Sequence, residues 1–324
     1  MLEGIVMRST GSRYLVRDEE GALHDCVARG QLRIQGFRST NPIAVGDHVV
    51  FEPEVRTVGG EQVGQITEVK DRRNYLVRRS VNLSHEKHVI ASNVDQALLM
   101  VTVARPRTSF GFIDRFLVTA ESYEVPAILL FNKVDDLDAG ELEQLQAYEN
   151  TYRTAGYRML RTSARNGTGV EDVKALLLGK VSLLAGHSGV GKSTLINAIA
   201  PSLDLHTAEV SAASLKGQHT TTLAEMFALE IPGPPDERTT FIIDTPGVKG
   251  FGLVDMDPPH IGDQFPEIFA LKGECRFSDC LHLEEPGCAV RTAAGDGRIP
   301  PSRYRSYLDM LAGLEEDGPY RKSE

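Results

Sequence analysis

No run of the roughly 18 consecutive apolar residues that a membrane-spanning helix needs occurs in this 324-residue chain, which excludes a helical span. The opening residues, MLEGIVMRST, lack the basic start and apolar stretch of a secretory leader, so a cytoplasmic protein is expected. Cysteine is scarce. Only four occur, and Cys275, Cys280 and Cys288 fall within fourteen residues, which is not a disulfide framework and asks for another explanation. Positive charge is also short: the formal net charge of -10 argues against indiscriminate wrapping of nucleic acid. Locally the balance reverses. Residues 70–90 carry six Lys or Arg against two acids, and RIPPSRYRSY, starting at Arg298, is basic with two tyrosines. Such stretches bind RNA or simply form solvated faces.

Three textures follow one another along the chain. Residues 1 to about 70 hold short alternating runs, EGIVMRS, RYLVRD, LHDCVARG, DHVVFEP and GQITEVK, separated by Gly, Asp and Asn. Period-two alternation at this spacing predicts a small antiparallel barrel or sandwich; five strands in about 70 residues suit an OB-type barrel, and other small barrels fit nearly as well. From about residue 94, apolar strand-like runs (QALLMVTVA, PAILLFNKVD, RMLRTSA, VSLLAGHSG) alternate with helical patterns, which implies a mainly parallel sheet covered on both faces. TLAEMFALE and TTFIIDTPG predict an adjoining hairpin. Beyond Gly250 lie Pro-rich and acidic stretches, the cysteine cluster, and a helix near SYLDMLAGLEE.

GHSGVGKS fits the phosphate-loop pattern G-x-x-x-x-G-K-[ST], with a strand before it and a helix after it. Gly186, Gly189 and Gly191 let the backbone curl so that N–H groups from Gly186, His187, Ser188, Gly189, Val190, Gly191, Lys192, Ser193 and Thr194 surround phosphate oxygens. Lys192 would neutralise the β- and γ-phosphates, and the Ser193 hydroxyl would ligate Mg²⁺. In FIIDTPG, Asp244 would hold Mg²⁺ through water and Gly247 would offer its N–H to the γ-phosphate. Between them, GQHTTT supplies Thr221 or Thr222 to the metal and the γ-phosphate, with Thr221 the first choice for Mg²⁺.

NKVD, after an apolar strand, completes a guanine site. Asp135 would accept both guanine N1–H and the 2-amino group, Asn132 would meet the opposite edge, Lys133 would lie along the ring, and Val134 would line it. Adenine offers an acceptor at N1 and no 2-amino group, so it would strand the carboxylate. TSA, through Ser163 and Ala164, would place an N–H near guanine O6. These guanine motifs precede the phosphate loop, whereas GTPases normally carry them after it. Each motif sits on a strand-to-helix loop at one edge of an α/β sheet, where such folds bind ligands. A cyclic shift of the chain leaves that pocket intact. It also puts the γ-phosphate sensor directly before the cysteine-rich segment, with the connection around Phe251 as a short covalent path between them.

CRFSDCLHLEEPGC presents Cys275, Cys280, His282 and Cys288 at Cys-x4-Cys-x-His-x5-Cys spacing. Three thiolates and an imidazole saturate a tetrahedral Zn²⁺ with no open position, the pattern of a structural site. The segment lacks apolar bulk for a core of its own, so the metal would hold it together. Cys26 belongs to the barrel core.

The motif order, SNVDQALLMVTV, GQHTTT and the terminal Cys/His cluster together resemble the RsgA family of circularly permuted, small ribosomal subunit-dependent GTPases, across essentially the whole chain. The resemblance implies an α/β P-loop GTPase domain, circularly permuted, over residues 74–255, an N-terminal OB-type β-barrel over 1–73, and a C-terminal zinc-binding, partly helical domain over 256–324. It implies Mg²⁺ with GTP or GDP, structural Zn²⁺, and a late role in maturation of the small (30S) subunit. Hydrolysis would be stimulated by the particle and coupled to release, with rRNA contacted by the barrel, zinc module and basic connector. Many GTPases carry Gln after the D-x-x-G glycine to orient water; here Val248 stands there, and the resemblance points to His219 as the catalytic replacement. A monomer without membrane contacts is expected. A metabolic or signalling GTPase with protein-binding flanks, and a nucleotide-binding scaffold without turnover, are the competing readings.

Overall fold

In a computed structural model the described residues are 1–29, 43–58, 61–79, 87–203, 224–234, 238–244 and 256–313. The chain divides into two compact units. One comprises Met1–Gln96, Leu177–Ala185 and Leu215–Gly250; the other comprises Ala97–Leu176, Gly186–Ser214 and Phe251–Glu324.

In the first unit, the five expected strands form: β1 (Leu2–Ser9), β2 (Tyr14–Asp18), β3 (Leu23–Ala28), β4 (His48–Val58) and β5 (Glu61–Val69). Neighbours run β1-β2-β3-β5-β4, and β4 pairs back onto β1, which closes the circuit. β3 and β5 are parallel and the other pairs antiparallel, the topology of an OB barrel. Alternate side chains point inward, and Val6, Tyr14, Val16, Cys26, Val49, Phe51 and Ile66 build one buried cluster. Gly64 has no alternative there, since a Cβ would lie 2.7 Å from Cys26 Sγ.

The basic connector folds into a hairpin that the sequence did not advertise, β6 (Tyr75–Arg79) against β7 (Lys87–Ser92). Three cations that lead into it, Lys70, Arg72 and Arg73, are ion-paired. Arg72 grips the fully buried Asp47 through Nε and Nη2, both at 2.7 Å, Arg73 pairs with Asp95 at 2.7 Å, and Lys70 pairs with Glu3. β11 (Val181–Ala185), β12 (Glu225–Leu229) and β13 (Thr240–Asp244) complete this unit, with β11 and β13 parallel and β12–β13 the expected hairpin. β12 also pairs with β1, which joins barrel and sheet.

In the second unit, β8 (Gln96–Val101), β9 (Ala127–Phe131) and β10 (Arg158–Arg161) are parallel. Every residue of β8 is buried, as its unbroken apolar run requires. Four helices follow the strand ends: α1 (Phe110–Ser122), α2 (Ala139–Thr154), α3 (Val170–Leu177) and α4 (Lys192–Ile199). α1 starts earlier than the apolar pattern alone suggests because the Ser109 side chain caps it, accepting from the Phe112 N–H. Asp138 and Glu141 form a reciprocal capping box on α2.

The C-terminal part adds α5 (Pro258–Ile261), α6 (Pro266–Lys272), α7 (Ala289–Gly295) and α8 (Pro301–Leu311). Ile261, Phe265, Ile268, Val290, Ala293, Ile299, Tyr307 and Met310 form its core together with Val118 of α1. The stretch from Arg298 is split: Arg298 and Arg305 are exposed, while other side chains turn into this core. Arg303 is fully buried and Tyr307 nearly so. Among the described residues, no helix is long and apolar enough to cross a membrane.

Candidate functional site

The chain leaves β11 at Ala185 and turns through Gly186, Gly189 and Gly191, at φ 149°, 81° and 99°. All three values lie in the region that favours glycine, so the curl predicted from the motif has the backbone it needs. A Cβ at Gly186 would lie 2.9 Å from the Met100 carbonyl oxygen, and one at Gly191 only 2.5 Å from Asn132 Nδ2. The Lys192 ammonium folds over the loop and donates to the carbonyls of Gly186 (2.8 Å) and His187 (3.2 Å). α4 begins at Lys192, so its positive end is directed at the same loop. Ser193 and Thr194 occupy its first turn.

The guanine motif meets this loop directly. Asn132, the residue after β9, donates from Nδ2 to the Val190 carbonyl at 2.8 Å across 58 residues of sequence. Its Oδ1 accepts from the Thr162 hydroxyl at 3.0 Å. One buried side chain thus ties NKVD, the TSA loop and the phosphate loop together, a task that base recognition alone had not suggested. Lys133 adopts a left-handed backbone (φ 63°) and its Nζ donates to the Arg105 carbonyl at 2.7 Å. Val134 and Asp135 start the short 3-10 turn that follows.

Sequence reasoning did not single out Arg105. Its guanidinium forms a fork with both Glu141 oxygens at 2.6 Å and reaches Asp136 at 2.8 Å. Those two carboxylates, Glu141 first, raise its pKa. The loop after β8 is thereby fixed to the helix that follows the guanine motif. No motif signals this, because the contact joins residues 36 apart in sequence.

Ser163 is fully buried, its N–H donating to the Thr168 carbonyl at 2.9 Å, while its hydroxyl accepts from the Asn166 N–H at 3.2 Å. The TSA turn, with Ala164 next, is held rigidly by its own backbone. Asp244 ends β13, where its backbone is in register with Leu184 of β11 and Glu225 of β12. That register sets it beside the strand end from which the phosphate loop departs. His219, Thr221, Thr222, Gly247, Val248 and Phe251 lie outside the described residues.

His187 sits inside the phosphate loop and packs at a tilt of 38° against Phe112 of α1, ring centroids 3.6 Å apart. It is 6% exposed, and its Nε2 is buried without a hydrogen-bond partner among the described residues. Burial, then the Lys192 and Arg115 charges, pushes its pKa down to about 4, so the ring is neutral at physiological pH.

The Cys/His cluster is assembled as the spacing predicted. The donor atoms of Cys275, Cys280, His282 and Cys288 all lie within 4.8 Å of one another. Metal–sulfur bonds of about 2.3 Å and metal–nitrogen bonds of about 2.05 Å at tetrahedral angles imply S···S and S···N separations of about 3.8 and 3.6 Å. Cys275 and Cys288 Sγ are 3.9 Å apart, and His282 Nδ1 lies 3.5 and 3.4 Å from them. The four donors therefore fit a metal ion of zinc's size, with Nδ1 as the imidazole ligand. Tyr304 and Tyr307 brace the turn, donating from their hydroxyls to the carbonyls of His282 (2.6 Å) and Leu281 (2.7 Å).

Residues 69–254 match the sequence profile of the RsgA GTPase family, and residues 3–60 that of the RsgA N-terminal domain. A relative from Christiangramia forsetii, named small ribosomal subunit biogenesis GTPase RsgA, is 50% identical over 98% of both chains. One of the same name from Bacteroides fragilis is 49% identical over 99% of both. Among solved structures, YjeQ from Thermotoga maritima superposes with a TM-score of 0.73 at 34% identity, covering 97% of this chain and 98% of the other. YloQ, described as a circularly permuted GTPase, gives 0.69 at 29% identity, covering 99% and 97%.

Proposed function

The chain belongs to the RsgA GTPase family, and from that premise we propose that it is a GTPase acting as an assembly factor in late maturation of the small ribosomal subunit. It converts GTP and water to GDP and phosphate, faster when bound to the particle, and leaves the particle after hydrolysis. The observation that carries the reading is the 2.8 Å hydrogen bond from Asn132 to Val190, since it brings the guanine motif to the phosphate loop despite their inverted order.

In this reading the N–H groups of Gly186 to Thr194 cradle the phosphates, and Lys192 exchanges its two carbonyl partners for phosphate oxygens. Asp135 accepts from the guanine edge, with Lys133 along the ring and the Ser163–Ala164 backbone toward O6. Asn132 holds the loops at fixed separation and keeps a second amide hydrogen for the base. Mg²⁺, bound with nucleotide, would supply charge neutralisation to the phosphates; Ser193, Asp244 and Thr221 or Thr222 are the residues that would hold it. His219 orients the attacking water, and Gly247 senses the γ-phosphate.

The domain limits we propose are 1–73, 74–255 and 256–324. Zn²⁺ held by Cys275, Cys280, His282 and Cys288 would cross-link the C-terminal module and perform no chemistry on the nucleotide. The protein would act as a cytoplasmic monomer on rRNA-bearing particles. Phosphate release, measured with free protein and then with purified small subunits, tests the proposal. Slow turnover alone and strong stimulation by the particle is the expected result; equal rates in both would sink it.

A further inference from the structure

Helix α1 stands between the phosphate loop and the C-terminal module, and it meets each with a different face. Phe112 and Asp114 are two residues apart, so at 100° per residue they point about 200° from each other. Phe112 carries the His187 ring at 3.6 Å. Asp114 and Val118, one helical turn apart, face the other way. Val118 joins the core of the C-terminal module, and Asp114 accepts from Arg303 Nη1 of α8 at 2.7 Å.

Arg303 and Asp114 are both fully buried. The same guanidinium grips Glu267 of α6 at 2.6 and 3.1 Å, and it lies 4.5 Å from the centre of the Phe265 ring. Tyr152 of α2 donates to Asp114 Oδ1 at 3.0 Å. A buried ion pair of this kind adds little net stability over a well-packed apolar replacement, because desolvation offsets its attraction. What it does supply is direction. A planar fork with fixed partners admits one orientation of α8 relative to α1.

We propose that Arg303 is a positioning residue for the phosphate loop: it fixes α1 through Asp114, and α1, through Phe112, fixes the seat of His187 and hence the curve of the loop. A displacement of the C-terminal module would then be felt at the phosphates across the width of α1, from its Asp114 face to its Phe112 face. The link to a particle rests on the function proposed above. The link between Arg303 and the loop does not.

The test is a double-mutant cycle on nucleotide release from the full-length, metal-loaded protein. Arg303→Lys keeps the charge and removes the fork; Phe112→Leu removes the ring under His187. Dissociation of a fluorescent GDP analogue is timed for wild type, each single variant and the pair, with zinc content checked in each. Each substitution should accelerate release by about tenfold or more, and the pair should release no faster than the quicker single. Multiplying effects, or release from Arg303→Lys within about twofold of wild type, would overturn the proposal. A purely structural role would lower the melting temperature without coupling the two sites. If Arg303→Lys fails to fold, Asp114→Asn combined with His187→Gln runs the same cycle with the same expected and contrary results. Particle-stimulated turnover of the wild type is measured alongside. Its absence would refute the assembly-factor function and leave the cycle to decide the relay by itself.

Discussion

Replacing Asn132 by Ala should damage nucleotide binding through the loop it braces. The substitution leaves the buried Val190 carbonyl without its partner at 2.8 Å, and leaves the buried Thr162 hydroxyl only the longer contact to the Phe131 carbonyl at 3.4 Å in place of Asn132 at 3.0 Å. An orphaned buried carbonyl costs about 1–3 kcal/mol and the weakened Thr162 hydrogen bond adds to it, so a loss of about 2–4 kcal/mol is expected. Expressed wholly in binding, that is roughly 30- to 1,000-fold weaker GTP. Equilibrium titration with a fluorescent guanine nucleotide measures it, and competition with inorganic tripolyphosphate separates the causes. Tripolyphosphate has no base, so its affinity should fall in parallel if Asn132 acts by shaping the loop. Asn132→Asp provides a second reading, because it keeps an acceptor for Thr162 but sets a carboxylate oxygen against the Val190 carbonyl. The reasoning is wrong if Asn132→Ala binds GTP within about fivefold of wild type, a change of about 1 kcal/mol, with an unchanged melting temperature.

Other outcomes follow from the same geometry. Cys288→Ser should lose bound zinc by elemental analysis and melt earlier by several kcal/mol equivalent, confined in proteolysis to the segment after residue 256; full metal retention would argue against the ligand set. Asp135→Asn presents a donor to guanine N1–H and its amino group, so GTP affinity should drop by about 10⁴-fold while xanthosine triphosphate, which offers a carbonyl at that edge, gains. His187 is held neutral when folded down to about pH 4, whereas the unfolded chain protonates it near 6.5. Its contribution is thus fully present above pH 6.5 and fades as pH falls toward 4, by up to about 3 kcal/mol, and His187→Gln should flatten that part of the stability curve in denaturant titrations. His219→Ala should slow turnover while sparing GTP affinity; an unchanged rate would remove His219 from the mechanism.

The fold was largely legible in the sequence because its strands and helices carry unambiguous periods. The barrel runs alternate, β8 is apolar throughout, and the glycines of the phosphate loop have the φ values the motif demands. The cysteine spacing was equally readable, since a short segment with three thiols and an imidazole has few other ways to close. Three features escaped. The β6–β7 hairpin lies in a stretch whose charge outweighs its alternation, so composition masked the strand signal. The Arg298 stretch read as uniformly exposed, yet its Arg303 is buried in ion pairs with Asp114 and Glu267. Its partner Asp114 is 189 residues away, and no local pattern encodes a contact at that range. Arg105 is the same case on a smaller scale, an ion-paired clamp whose partners Asp136 and Glu141 lie in the turn and helix after the guanine motif.

The claim on which everything rests is that loops arranged out of the usual chain order surround one guanine nucleotide. The structure of the protein bound to a non-hydrolysable GTP analogue measures this most directly. The account predicts a single nucleotide with its base edge within about 3 Å of the Asp135 carboxylate and its phosphates against the N–H groups of Gly186 to Ser193. A nucleotide whose phosphates occupy that loop while its base lies away from Asp135 would contradict it.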